Sequence, residues 1–138
     1  MSDAAVPPSP PAPAGPPREV PLGPSSFLPK RGFVVVPVLP AFALPDGTKA
    51  RSALLGHAGG RFVAYANVCR HLAIPLDYGD GEVMDDDDFH LLCHHHGATF
   101  EPATGECILG PCHGEFLWEW HVRVDDFGDA VLVLAPPG

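Results

Sequence analysis

The sequence predicts an all-β domain, and three observations carry that prediction. Short β-branched and aromatic runs recur at close spacing. Clusters of Gly, Pro, Asn and Asp separate them. No segment repeats its apolar residues with the 3.6-residue period of an amphipathic helix. Some eight short strands of this kind form an antiparallel sandwich or barrel.

In chain order, "GFVVVPVLP" (32–40) is the first strand candidate. "RSALLGHAGG" leads into "RFVAYAN" (61–67), with Gly59-Gly60 as the hairpin turn. "FHLLC" (89–93) is a short apolar run that ends on a cysteine. "ATFEPATGECILG" reads as strand, turn, strand, the turn falling on Pro102 to Gly105. "FLWEWHVRV" (116–124) alternates, which divides Leu117, Trp118 and Trp120 between core and rim. "DDFGD" then turns into "AVLVLA" (130–135). The acidic run Asp85 to Asp88 is expected in an exposed loop.

Residues 1–32 read differently. They hold ten of the eighteen prolines among Ala, Ser and Gly, too little apolar surface to offset the entropy of ordering. A disordered tail is expected there, with the folded domain at 33–138. The tail carries two acids and three bases, so the net charge of −9 becomes −10 for the folded part. Such a balance argues against nucleic acid and against anionic membrane surfaces. It suits solubility and steered docking to a basic partner. No apolar run has the length of a membrane span. "MSDAAVPPSPP" lacks a basic start followed by an apolar stretch, so a cytoplasmic location is expected. Four cysteines in such a chain point to metal or redox chemistry before a disulfide framework.

Two short segments concentrate that chemistry: Cys69-Arg70-His71, and Cys93-His94-His95-His96. Twenty-one residues separate His71 from Cys93, and each segment follows a strand candidate. Two loops at strand ends can therefore offer two thiolates and two imidazoles to one centre. A closed zinc site accepts that donor mixture. Structural zinc sites, however, space their cysteines two to four apart, whereas here each loop gives one sulfur and one nitrogen. That symmetry suits a two-iron centre in which one iron takes a Cys from each loop and the other a His from each loop.

The two segments read "CRHLAIPLDYGDG" and "CHHHGATFEPATGECILGP". They resemble the Rieske family, whose pattern is C-x-H, a spacer, then C-x-x-H-G. Leu76, Gly97, Phe100, Thr104-Gly105 and Gly110-Pro111 match positions of that pattern, over about Phe33 to Leu134. The resemblance implies a Rieske-type antiparallel β-sandwich. Its cluster-binding subdomain would be made by two ligand loops and a covering Gly-Pro loop. It implies one [2Fe–2S] cluster per chain, held by Cys69, His71, Cys93 and His96, with His95 the alternative to His96. It is similar in particular to small stand-alone Rieske proteins, such as dioxygenase ferredoxin components and nitrite reductase small subunits. The implied function is one-electron carriage to or from a protein partner, a reductase or a terminal oxygenase or reductase. No catalysis and no small-molecule substrate are implied, and the 42 residues after His96 leave no room for an oxygenase catalytic domain. The competing readings are a redox-sensing or structural cluster module, and a zinc-binding domain.

In the respiratory branch of the family, an extra cysteine in each ligand loop forms a disulfide. Ile74 and His95 occupy those positions here. The same branch has a serine and a tyrosine whose hydroxyls bond the cluster and its cysteine; Ala98 and Phe100 stand there. Their absence implies a potential low in the Rieske range, nearer about −150 mV than about +300 mV. Cys107 and Cys112 fall outside the ligand positions. Free thiols are expected, with a Cys107–Cys112 bond as the alternative.

Overall fold

In β3 (Lys49–Ala58) and β4 (Arg61–Ala66), apolar residues fill successive positions rather than alternate ones. Side chains of a strand alternate between faces, so such strands must be covered on both sides. The computed structural model shows two cores, one on each face. It describes residues 18–29, 32–70, 74–77, 79–85, 90–95 and 97–134. Ala53, Leu55, Ala64 and Ala66 face a first core with Val38, Phe42, Trp120 and Leu132. Leu54, Val63 and Tyr65 face a second, which contains Cys69, Leu76, Leu91, Cys93, Phe100 and Cys112.

The other strands are β1 (Arg18–Pro24), β2 (Phe33–Ala43), β5 (Leu91–Leu92), β6 (Thr99–Phe100), β7 (Cys107–Leu109), β8 (Glu119–Val124) and β9 (Asp129–Leu134). A six-stranded antiparallel sheet has the order β1-β9-β8-β4-β3-β2, and a small sheet the order β5-β6-β7. Arg18, on one edge strand, donates to the Pro40 carbonyl and lies over the Phe42 ring, both on the other edge strand. The large sheet therefore curls around the first core. Trp120 fills its middle and meets Phe42 edge-on at 5.9 Å. The small sheet and its loops pack on the outer face of β3 and β4.

Most of the predicted elements appear at their places. Ala58 pairs with Arg61 across Gly59-Gly60. Leu117 enters the second core and Trp120 the first, while Trp118 is half-buried at the rim. The tail boundary is corrected. Residues 18–29, placed by composition in the disordered tail, form β1 and a single 3₁₀ turn. β1 pairs with β9 from Arg18↔Leu134 to Pro24↔Asp129. An available edge on β9 outweighs the poor strand propensity of "REVPLGP". The rest of the expected tail, 1–17, lies outside the described residues. Of the acidic run, only Asp85 is described; it accepts hydrogen bonds from His90. The described residues contain no helix long and apolar enough to cross a membrane.

Tyr65 joins the two sheets. Its fully buried hydroxyl donates to the Pro102 carbonyl at 2.7 Å, anchoring the turn between β6 and β7. Burial raises its pKa, so it stays a neutral donor. Tyr65→Phe leaves that carbonyl unpaired and should cost about 1–2 kcal/mol. Urea denaturation should show a lower midpoint at unchanged slope.

Candidate metal centre

Cys69 lies three residues past the end of β4, and Cys93 directly follows β5. Both are buried in the second core. Each begins a tight loop. In the first, the Cys69 amide donates to the Ile74 carbonyl at 2.7 Å. In the second, the Cys93 amide donates to Ala98 O and the Gly97 amide returns to Cys93 O, both at 2.8 Å. Gly97 sits at φ +79°, the left-handed region that a turn here needs and that glycine enters freely.

The two loops are bonded to each other. The His94 amide donates to Leu76 O at 2.9 Å, and His95 Nε2 donates to Asp77 O at 3.1 Å. A third loop closes on them. Gly110 lies so near the second loop that a Cβ there would stand 2.9 Å from Ala98 Cα. Cys112, two residues on, is buried in the same core as Cys69 and Cys93. Burial first, then its hydrogen bond to Cys107, pushes the Cys112 thiol up to about 12. The three loops named by the sequence pattern thus converge beside two buried cysteines.

A clasp that the sequence did not single out shapes the first loop. Asn67 Nδ2 donates to Asp77 Oδ1 and to Ser52 Oγ, each at 3.0 Å, and Asn67 Oδ1 accepts from the Leu76 amide at 2.8 Å. Asp77 Oδ2 accepts from the amides of Gly79 and Gly81. Both side chains are buried, so every one of these bonds replaces lost hydration. The clasp closes the chain on both sides of Cys69. Arg70 adds an outer tie: it donates to Phe116 O at 3.0 Å, pairs with Glu115 at 3.3 Å and lies 4.2 Å over the Trp118 ring. A groove of about 490 Å³ opens there, lined by Arg70, Phe116, Leu117, Trp118 and Glu119 among others.

Burial raises the Asp77 pKa, but the hydrogen bonds from Asn67, Gly81 and Gly79 outweigh it, and the net shift is downward. A depressed carboxylate stabilises the fold above its unfolded pKa, and that stability is lost as pH falls through the lower folded value. Asp77→Asn should therefore destabilise at neutral pH, and the deficit against wild type should narrow below about pH 4. Thermal melts of both proteins across that range would show it.

Of the four proposed ligands, Cys69 and Cys93 are described, whereas His71 and His96 lie outside the described residues. Among the described residues no three His, Cys, Asp or Glu side chains gather at one point.

A family model described as "Rieske [2Fe-2S] domain" matches residues 33–127. The chain belongs to the Rieske [2Fe-2S] family. Its antiparallel sheets are the Rieske β-sandwich. Among solved structures, a chain of the complex of reduced oxygenase and oxidized ferredoxin in carbazole 1,9a-dioxygenase is 19% identical. The match has a TM-score of 0.61 and covers 87% of this chain and 96% of that one. The terminal oxygenase of carbazole 1,9a-dioxygenase from Novosphingobium sp. KA1 is 20% identical with TM-score 0.61, covering 88% of this chain and 30% of that one. The corresponding oxygenase from Nocardioides aromaticivorans IC177 is 20% identical with TM-score 0.59, covering 88% and 31%. At such identities the likeness establishes the fold. No curated protein matches.

The Rieske domain is an electron-transfer module and implies a [2Fe–2S] cluster of Rieske type. The described residues fit that group. Two buried cysteines stand on two hydrogen-bonded loops, beneath a third loop packed against the second. In the first loop, the segment that would carry His71 is bracketed by the Asn67–Asp77 bond.

Proposed function

We propose that this Rieske protein is a one-electron carrier serving a partner oxidoreductase, a reductase or a terminal oxygenase or reductase. One cluster per chain would be held by Cys69 and Cys93 on one iron and by His71 and His96 on the other. When bound, that cluster supplies a reversible one-electron couple. The observation that carries the reading is the direct bond between the two ligand loops, His94 N to Leu76 O, with Cys69 and Cys93 buried beside it. His95 gives Nε2 to the Asp77 carbonyl, which supports His96 as the fourth ligand.

The chain's own residues would perform three tasks. The clasp of Asn67 and Asp77 holds the first loop in one conformation, which limits reorganisation when charge changes. The Gly110 loop, packed on Ala98 of the second loop, would cover the buried Cys69 and Cys93. The acidic surface, at net −9 for the chain, steers encounter with a basic partner. The likeness to a chain of the complex of oxygenase and ferredoxin in carbazole 1,9a-dioxygenase supports a carrier that docks to a protein partner. A cytoplasmic location belongs to the same proposal.

The deciding experiment is an electron paramagnetic resonance spectrum of the dithionite-reduced protein. The expected result is a rhombic signal with average g well below the free-electron value, which mixed thiolate–imidazole ligation produces. A colourless sample, silent in both redox states after iron-replete anaerobic preparation, would overturn the proposal in favour of zinc or no metal. Ala98 and Phe100, both fully buried and without hydroxyls, set the expected potential. Hydrogen bonds to cluster sulfurs favour the reduced state, so their lack should place the midpoint nearer about −150 mV than about +300 mV in a redox titration.

A further inference from the structure

Cys107 and Cys112 take no part in the proposed ligand set, yet they are buried together. Cys112 Sγ donates to Cys107 Sγ at 2.9 Å, and Cys107 Sγ donates to Leu109 O at 3.4 Å. A closed turn brings the two sulfurs together. Cys107 N donates to Glu115 O, Gly114 N to Cys107 O, and Glu115 N to Cys112 O. A sulfur–sulfur bond is about 2.05 Å long, so the pair stands about 0.9 Å from bonding distance. The backbone that would have to allow this is a surface turn: Gly110, Pro111, His113 and Gly114 are all exposed around the buried Cys112.

We infer that Cys107 and Cys112 form a second redox site, a dithiol–disulfide pair, whose oxidation locks the Gly-Pro loop over the ligand loops. The co-reactant is a small disulfide of the glutathione class. One cysteine, as thiolate, attacks it; a mixed disulfide forms and one small thiol leaves. The second cysteine attacks the protein sulfur of that mixed bond, the Cys107–Cys112 bond forms, and the second small thiol leaves. The small disulfide accepts the two electrons, and the two thiol protons of the protein end on the two small thiols. The locking follows from the contacts of the same loop. Gly110 packs on Ala98 in the second ligand loop, and Phe116 O and Glu115 hold Arg70 in the first. A covalent bond across the turn removes the opening motion that would lift these contacts.

The site is independent of the donor and acceptor of the carrier, and its primary test reads neither. The full-length, natively purified protein is treated with oxidised glutathione or with dithiothreitol, quenched in acid, denatured and alkylated. Cleavage after glutamate then releases residues 107–115, which hold both cysteines. After oxidised glutathione, the expected peptide carries no alkyl group and is lighter by two hydrogens than the dithiol. After dithiothreitol, it carries two alkyl groups. Cys112→Ser should instead trap a glutathione adduct or an alkyl group on Cys107. A doubly alkylated peptide after the oxidant, or a crosslink from Cys107 or Cys112 to Cys69 or Cys93, would overturn the inference. The locking is read as loss of visible absorbance to an iron chelator. Bleaching should be several-fold slower in the oxidised form, with no such difference in Cys112→Ser. Equal rates in the two forms of the wild type would overturn the locking.

Discussion

Serine at Cys69 or Cys93 should abolish cluster binding while sparing most of the fold. Both thiols are buried in the second core, and neither touches the first, where Trp120, Leu132 and Val38 hold the large sheet together. Serine replaces a soft sulfur donor by a hydroxyl that stays protonated near neutral pH. Iron per chain should fall by more than roughly tenfold, since changes at the partners of ligands alone reach that size. Far-UV circular dichroism of the large sheet should be retained. Cys107→Ser and Cys112→Ser are the matched controls, because they change buried thiols of the same core and should keep full iron. The histidines can be sorted in the same way. His96→Ala should lose the cluster and His95→Ala should keep it, losing only the tie to the Asp77 carbonyl at 3.1 Å. Full iron in Cys69→Ser or Cys93→Ser would sink the ligand assignment.

The parts of this molecule that could be read from the sequence are those in which chemistry is local. Strands such as "RFVAYA" declare themselves by residue type, and the hairpin at Gly59-Gly60 by its turn residues. Cys69 and Cys93 stand out because each has an imidazole two or three positions on, and the structure buries both thiols in one core. What stayed hidden depends on distant partners. β1 contains two prolines and a glycine within seven residues and has no strand signal of its own. It is a strand because β9 leaves an edge open for it. Asn67 and Asp77 are ordinary polar residues until the fold buries them ten positions apart and bonds them to each other. Arg70 reads as a spacer between Cys69 and His71, yet its guanidinium links the first ligand loop to the segment after the Gly-Pro loop. Periodicity and spacing report donors and faces; they do not report which polar side chains will be desolvated together.

Gly110→Ala should be among the most damaging single changes outside the ligands, and a second glycine separates its causes. Gly110 adopts φ +107°, where an L-residue is strained by about 1–3 kcal/mol. It also has no space for a side chain. The added Cβ would stand 2.9 Å from Ala98 Cα and 3.4 Å from Ala98 N and Cβ. Backbone cannot swing aside as a flexible side chain can, so the loops must part, at a further cost of about 1–3 kcal/mol. Together this is a large fraction of the roughly 5–15 kcal/mol that holds a domain folded. Gly114 lies in the same turn at φ +92°, with nothing within 4 Å of a Cβ. Gly114→Ala therefore carries the backbone strain without the collision. If close packing of the Gly-Pro loop protects the cluster, Gly110→Ala should lower the urea midpoint well beyond Gly114→Ala and bleach several-fold faster in an iron chelator. Ala98 O accepts from the Cys93 amide, so any shift of Ala98 is passed directly to a proposed ligand. Equal effects in the two variants would mean that strain in the turn matters and its contact with the second ligand loop does not.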